Sequence, residues 1–167
     1  MAKYLPLALF AIALAFPIHI ATAQSVENEA KNKALIGRFF EEVWNKGKYD
    51  VADEVFAEDY VRHDPRGGKP PGGPRGQKLI AQSFRKDCPD CAMMVEQLLA
   101  DGEFVVARWK ISGKHQPSGQ KVEFVGVNIF RFTNGKVVEV WNHRDDLAFS
   151  LQTGRVMMAQ SAPKPPQ

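Results

Sequence analysis

Four histidines, two closely spaced cysteines and a carboxylate near a histidine are the residues whose spacing could support chemistry. His143 and Asp145 stand two apart near the end of the chain, so on a strand they share one face. With His63 they could form a two-histidine, one-carboxylate metal site. The third ligand would then come from a loop far upstream, and no metal is assigned. His115 follows Gly113 and reads as a solvated turn residue. Cys88-Pro89-Asp90-Cys91 has the spacing of a redox pair but follows a helix and precedes a strand. The opposite order lowers a cysteine pKa at a helix start. A structural disulfide across the turn is the expectation, with two buried thiols as the other reading.

The elements that must position these groups follow from periodicity. Leu35, Ile36, Phe39, Phe40, Val43 and Trp44 recur at helical spacing, predicting a helix over about 26–46 that Gly47 ends. A short helix is expected from the N-cap Asp50, and a third over 78–87. Between them, the Gly- and Pro-rich stretch 64–77 reads as a loop, with Arg66, Lys69 and Arg75 as a basic lid. It matches no phosphate-binding glycine motif. Beyond Cys91 the period falls to two. Strands are predicted over 93–99, 103–112, 121–133 and 136–145, with turns at Asp101-Gly102 and Asn134-Gly135. Helices followed by a meander imply an α+β domain.

A two-residue turn at Asn134-Gly135 sets Thr133 opposite Lys136. Continued without interruption, that register places Phe130 opposite Glu139, Asn128 opposite Trp141, Gly126 opposite His143 and Phe124 opposite Asp145, all on one face. Aromatic groups mixed with a few polar ones are the usual lining of a small-molecule pocket. The alternative is that His143 and Asp145 occupy a solvated strand end. The other face, with Val125, Val127, Ile129, Val138 and Val140, is aliphatic and is expected to pair with a second subunit.

Composition narrows the classes. The 167 residues are 44% hydrophobic and 25% charged, with net charge +3, which fits one globular domain and not a nucleic-acid-binding stripe. Lys3, the apolar run from Leu5 to Ile20 and the end Ala21-Thr22-Ala23 read as a signal peptide over 1–23. Cleavage would leave Gln24 as the first residue of a periplasmic or secreted protein without a membrane anchor. The domain is expected over 24–154, with a flexible tail over 155–167.

Four stretches occur in order: Asn32 to Asn45 (NKALIGRFFEEVWN), Tyr60 to Pro65 (YVRHDP), Val105 to His115 (VVARWKISGKH) and Gly135 to Trp141 followed by Asp145. Together they resemble the SnoaL-like polyketide cyclases, also called ester cyclases, of the nuclear-transport-factor-2-like superfamily. The resemblance implies a cone-shaped, half-open barrel. In it, three N-terminal helices pack on a strongly bent antiparallel sheet around a deep pocket, often as a dimer through the sheet. It also implies Asp145 as general acid/base of an aldol-type ring closure, with His143 in the same pocket and His63 at the rim. His143 or Asn128 would then donate to a developing oxyanion, and Trp141, Phe124 and Trp109 would form walls. The chemistry expected is aldol-type cyclisation or isomerisation of a hydrophobic small carbonyl compound, with no cofactor. A non-catalytic ligand-binding module is the other reading.

Overall fold

The computed structural model describes residues 16–67 and 71–157. Most of the expected signal segment, the middle of the glycine-rich loop and the end of the tail therefore lie outside the described residues. Helix α1 spans Phe16–Arg38 and passes into a π-helical segment, Phe39–Asn45. The wider π turn lets the consecutive Phe39 and Phe40, together with Val43, all reach the core. Two backbone bonds span five and six residues here, Lys46 to Glu41 at 3.1 Å and Lys48 to Glu42 at 2.8 Å. No helix among the described residues is long and apolar enough to cross a membrane.

Helix α2 (Val51–Val55) leads directly into strand β1 (Phe56–His63), and helix α3 (Gly73–Asp87) begins five residues before the expected start. Pro74 in its first turn suits a helix start. Strands β2 (Ala92–Asp101), β3 (Phe104–His115), β4 (Gln120–Thr133) and β5 (Lys136–Arg144) follow, and then helix α4 (Asp146–Gln152). The sheet runs β1-β5-β4-β3-β2. It is mixed rather than wholly antiparallel, because β1 joins the edge parallel to β5. β1 was hidden in the sequence by its charged residues, and α4 by its shortness.

The helices cover one face of this open sheet. Phe39 meets Phe56 at 5.0 Å and Phe130 at 6.3 Å, so helix, edge strand and central strand share one aromatic core. The Asn45 amide accepts from the Met93 backbone N–H at 2.8 Å and donates to its carbonyl at 2.9 Å. It thereby ties the π-helical segment to β2 as a neighbouring strand would.

The final hairpin departs from the uninterrupted register at one place. Thr133 faces Lys136 and Phe132 faces Val137, but Arg131 faces Glu139, leaving Val138 as an extra residue on β5. This bulge allows Val137 and Val140, three apart, both to be fully buried. It also exchanges the faces of everything beyond it on β5. Asn128 pairs with Asn142 and Gly126 with Arg144, while Trp141 and His143 pair with Ile129 and Val127. Val140, Asn142 and Arg144 therefore turn inward, and Glu139, Trp141 and His143 turn outward. This corrects the expected placement of both Trp141 and His143.

Gly126 does not leave room for a ligand, as the uninterrupted register suggested. A Cβ there would lie 2.2 Å from the Trp109 ring and 2.8 Å from the His143 carbonyl. The absent side chain is the seat of the indole. Gly126→Ala should lower stability by about 1–3 kcal/mol through overpacking. Thermal melting should show the loss, and the tryptophan emission should shift as the Trp109 ring is displaced.

Candidate functional site

Between the inner face of the sheet, α3 and α4 lies a cavity of about 510 Å³. This is within the span of small-molecule sites, about 300–1,000 Å³. Phe40, Trp44, Phe84, Met93, Ile111 and Phe130 supply much of its apolar wall. Its polar groups come from the inward-facing positions of β1, β3, β4 and β5, from the segment after β1, from α3 and from Arg155 after α4.

Those groups form one hydrogen-bonded chain. The Trp109 indole N–H donates to Asn128 Oδ1 at 2.5 Å, and Asn128 Nδ2 donates to Asn142 Oδ1 at 3.1 Å. Asn142 Nδ2 in turn donates to Asp64 Oδ2 at 3.2 Å. Both asparagines are 6% exposed, so their mutual bonds remove what would otherwise be costly unpaired amides. Each amide nitrogen has a second N–H, and each carbonyl a second lone pair, available to a ligand.

Asp64 anchors the chain. Arg62 donates to it at 2.9 and 3.3 Å, and Arg66 donates from Nε at 2.7 Å, from its backbone N–H at 3.1 Å and from a further guanidinium nitrogen. Burial alone would raise the Asp64 pKa. The hydrogen bonds from Arg66 and Arg62 outweigh it and hold the carboxyl well below the usual carboxylate range. So saturated a carboxylate serves as a fixed anion and is a poor proton acceptor. Tyr60 and Arg62 also converge on the Gln77 carbonyl oxygen, at 3.1 and 3.5 Å, linking β1 to α3.

His115, only 4% exposed, also lines the cavity. The solvated turn expected for it is corrected, because β3 continues through Gly113. A Cβ at Gly113 would come within 2.6 Å of Cys91 Sγ, so the close approach of two strands needs glycine there. His115 Nδ1 lies 2.8 Å from Ser118 Oγ, and its ring packs edge-on against Phe149 at 5.3 Å. Among the described residues Nε2 has no hydrogen-bond partner.

Of the residues expected at the site, Asn128 and Trp109 line the cavity. Phe124 shares their face but sits behind them, against Trp109 at 6.3 Å and Phe149 at 5.1 Å. The others lie elsewhere. His63 is on the outer face of the sheet, stacked on Trp141 at 5.1 Å and 2.7 Å from Glu139. His143 is exposed on that same face. Asp145 is exposed beyond the strand, where its carboxylate caps α4 by accepting from the Ala148 N–H at 2.8 Å. These placements correct the expected pocket positions of His63, Trp141, His143 and Asp145.

The sequence reading missed Asp64, Asn142, Arg144 and His115. Period two across Tyr60, Arg62 and Asp64 was the available signal for the first, and across Trp109, Ile111, Gly113 and His115 for the last. Cys88 and Cys91 are joined as a disulfide, with Cα atoms 5.3 Å apart, and both are buried outside the cavity lining.

Solved structures share this architecture. A candidate polyketide cyclase of Bacillus cereus ATCC 10987 is 30% identical, over 76% of this chain and 83% of that one, with a TM-score of 0.68. IdmH of Streptomyces antibioticus, described as a candidate polyketide cyclase, is 26% identical over 74% and 98% of the two chains, with a TM-score of 0.65. A SnoaL-like relative from Jannaschia sp. CCS1, at 23% identity over 77% and 95% and a TM-score of 0.68, shares the fold. No functionally curated protein matches the chain. The family profile described as SnoaL-like polyketide cyclase matches residues 34–153. With helices covering one face of an open mixed sheet and a pocket between them, the chain belongs to the SnoaL-like polyketide cyclase family, of the nuclear-transport-factor-2-like fold.

Proposed function

We propose that the chain catalyses acid/base chemistry on a small carbonyl compound, of the enolisation or aldol-closure type, with His115 as the proton-transfer group. The observation that carries this reading is the buried Trp109–Asn128–Asn142–Asp64 chain facing an apolar cavity that also holds His115. Histidine exchanges protons readily near neutral pH. With Nδ1–H donated to Ser118 Oγ, the Nε2 lone pair takes a proton from the carbon next to a carbonyl. The C–H electron pair moves into the enolate, whose oxygen is met by the spare amide N–H groups of Asn128 and Asn142. In a ring closure the enolate carbon bonds to a second carbonyl carbon, and the resulting alkoxide recovers the proton from the imidazolium.

The test is deuterium wash-in at the α-carbon of aromatic cyclic ketones in D2O, followed by proton NMR. Exchange faster than in buffer is expected for ketones that bind. Bound ketones exchanging only at the buffer rate would overturn catalysis in favour of a binding module. The saturation of Asp64 by its arginines is the feature that favours that second reading.

We also propose that the protein is exported and dimeric. The apolar leader and the Cys88–Cys91 disulfide support an oxidising compartment. The outer sheet face, with half-buried Val125, Val127, Ile129 and Trp141 beside exposed Val61 and Phe104, suits a second copy. Native mass spectrometry of the full-length product from an exporting host addresses all three features. The expected species is a dimer starting at Gln24, each chain two hydrogens lighter than its reduced form. A monomer, an uncleaved leader or a reduced mass would each remove the corresponding feature.

A further inference from the structure

Four arginines, Arg62, Arg66, Arg144 and Arg155, line the cavity against the carboxylates of Asp64 and Asp87. Arg62 and Arg66 are committed to Asp64. Arg144 bonds to Asp146 from Nε at 2.7 Å, and its guanidinium lies over Phe124 at 5.4 Å and Phe149 at 4.9 Å. Burial lowers the Arg144 pKa against the pull of Asp146, and the neighbouring charge of Arg66 lowers it further. Arg155 covers the Phe149 ring at 5.2 Å and forms no ion pair among the described residues. With Arg144 paired to Asp146, the four arginines exceed the carboxylates of Asp64, Asp87 and Asp146 by one positive charge, and Arg155, unpaired among the described residues, shares the Phe149 ring with Arg144.

We propose that Arg155, together with Arg144, forms an anion subsite at the pocket mouth, so that the ligand is a small aromatic or alicyclic carboxylate. Its ring body lies against the apolar wall and its carboxylate meets the two guanidinium groups. This rests on the reading of the cavity as a ligand site, but not on His115 chemistry. Planar guanidinium groups match carboxylates through paired N–H donors, and such charge-assisted bonds are stronger than neutral ones. Seating on Phe149 orients both groups before a ligand arrives, which reduces the ordering cost of binding.

The test uses N-phenyl-1-naphthylamine, a neutral dye that brightens in apolar pockets, displaced in turn by 1-naphthoate and by methyl 1-naphthoate. In the wild type the acid should displace the dye at about tenfold lower concentration than the ester. Arg155→Ala should remove most of that advantage while leaving dye and ester affinities within about twofold, as expected for an exposed side chain. Raising the salt concentration should weaken the acid alone. An ester as effective as the acid, or a variant that weakens both alike, would overturn the subsite while leaving the pocket intact. Failure of the dye to bind would overturn the pocket and the subsite together.

Discussion

His115→Gln should slow ketone α-proton exchange by at least about 100-fold, the lower end of what a positioned acid/base group contributes. Glutamine keeps a polar side chain near Ser118 but supplies no group that takes a proton near neutral pH. The ring of His115 sits on Phe149 and is almost wholly buried, so a purely structural role is the competing explanation. The two roles separate by binding. In the structural case the variant loses ketone affinity and melts earlier; in the catalytic case affinity stays within a few-fold while exchange falls. Parallel measurement of Kd and exchange rate on the same ketone decides between them. Exchange retained at the wild-type rate removes His115 from the mechanism. His143→Gln and Asp145→Asn serve as controls and should leave exchange unchanged, because one lies outside the pocket and the other caps α4.

Much of the fold was legible because its long apolar patterns have one reading. The stretch around Phe39 to Trp44 buries one side, and the meander alternates cleanly with strong turns at its ends. The site was less legible for a specific reason. Val137, Val138, Glu139 and Val140 allow either an uninterrupted strand or a bulge, and local propensity does not distinguish them. The choice is made in three dimensions, where burying both Val137 and Val140 against the helices outweighs an unbroken ladder. Because side chains alternate, that one extra residue substitutes Asn142 and Arg144 for Trp141 and His143 in the pocket. Asn128 survived the change because it lies on β4, whose own alternation is unaffected. Arg62 and Asp64 were obscured differently: an inward-facing charged pair on an edge strand resembles a loop until its partners are known.

Asp64→Asn should be the most destabilising single change at the site, costing about 1–3 kcal/mol by leaving a part-buried guanidinium without its partner. The Arg62 side chain is 9% exposed and that of Asp64 11% exposed, so solvent replaces the lost charge only in part. Asparagine keeps the shape and can still accept from Asn142, but it leaves the Arg62 guanidinium without a counter-charge. It also frees Arg66, whose pKa is raised chiefly by its hydrogen bond with Asp64. Chemical denaturation should show the loss directly. In Arg62→Met/Asp64→Asn the combined cost should be well below the sum of the single costs, because the second substitution removes the stranded charge. Additive costs would show that the two groups do not act as a pair. The pH dependence follows from the same geometry. Because the folded-state pKa of Asp64 is depressed, its contribution is complete above the ordinary carboxylate range and is lost progressively as pH falls through it. The stability gap between wild type and Asp64→Asn should therefore be constant near neutrality and narrow with acidification below about pH 4. A gap that persists unchanged into strong acid would assign the cost to shape rather than charge. A closing gap identifies the anion itself as what holds Arg62, Arg66 and Asn142 in place around the pocket.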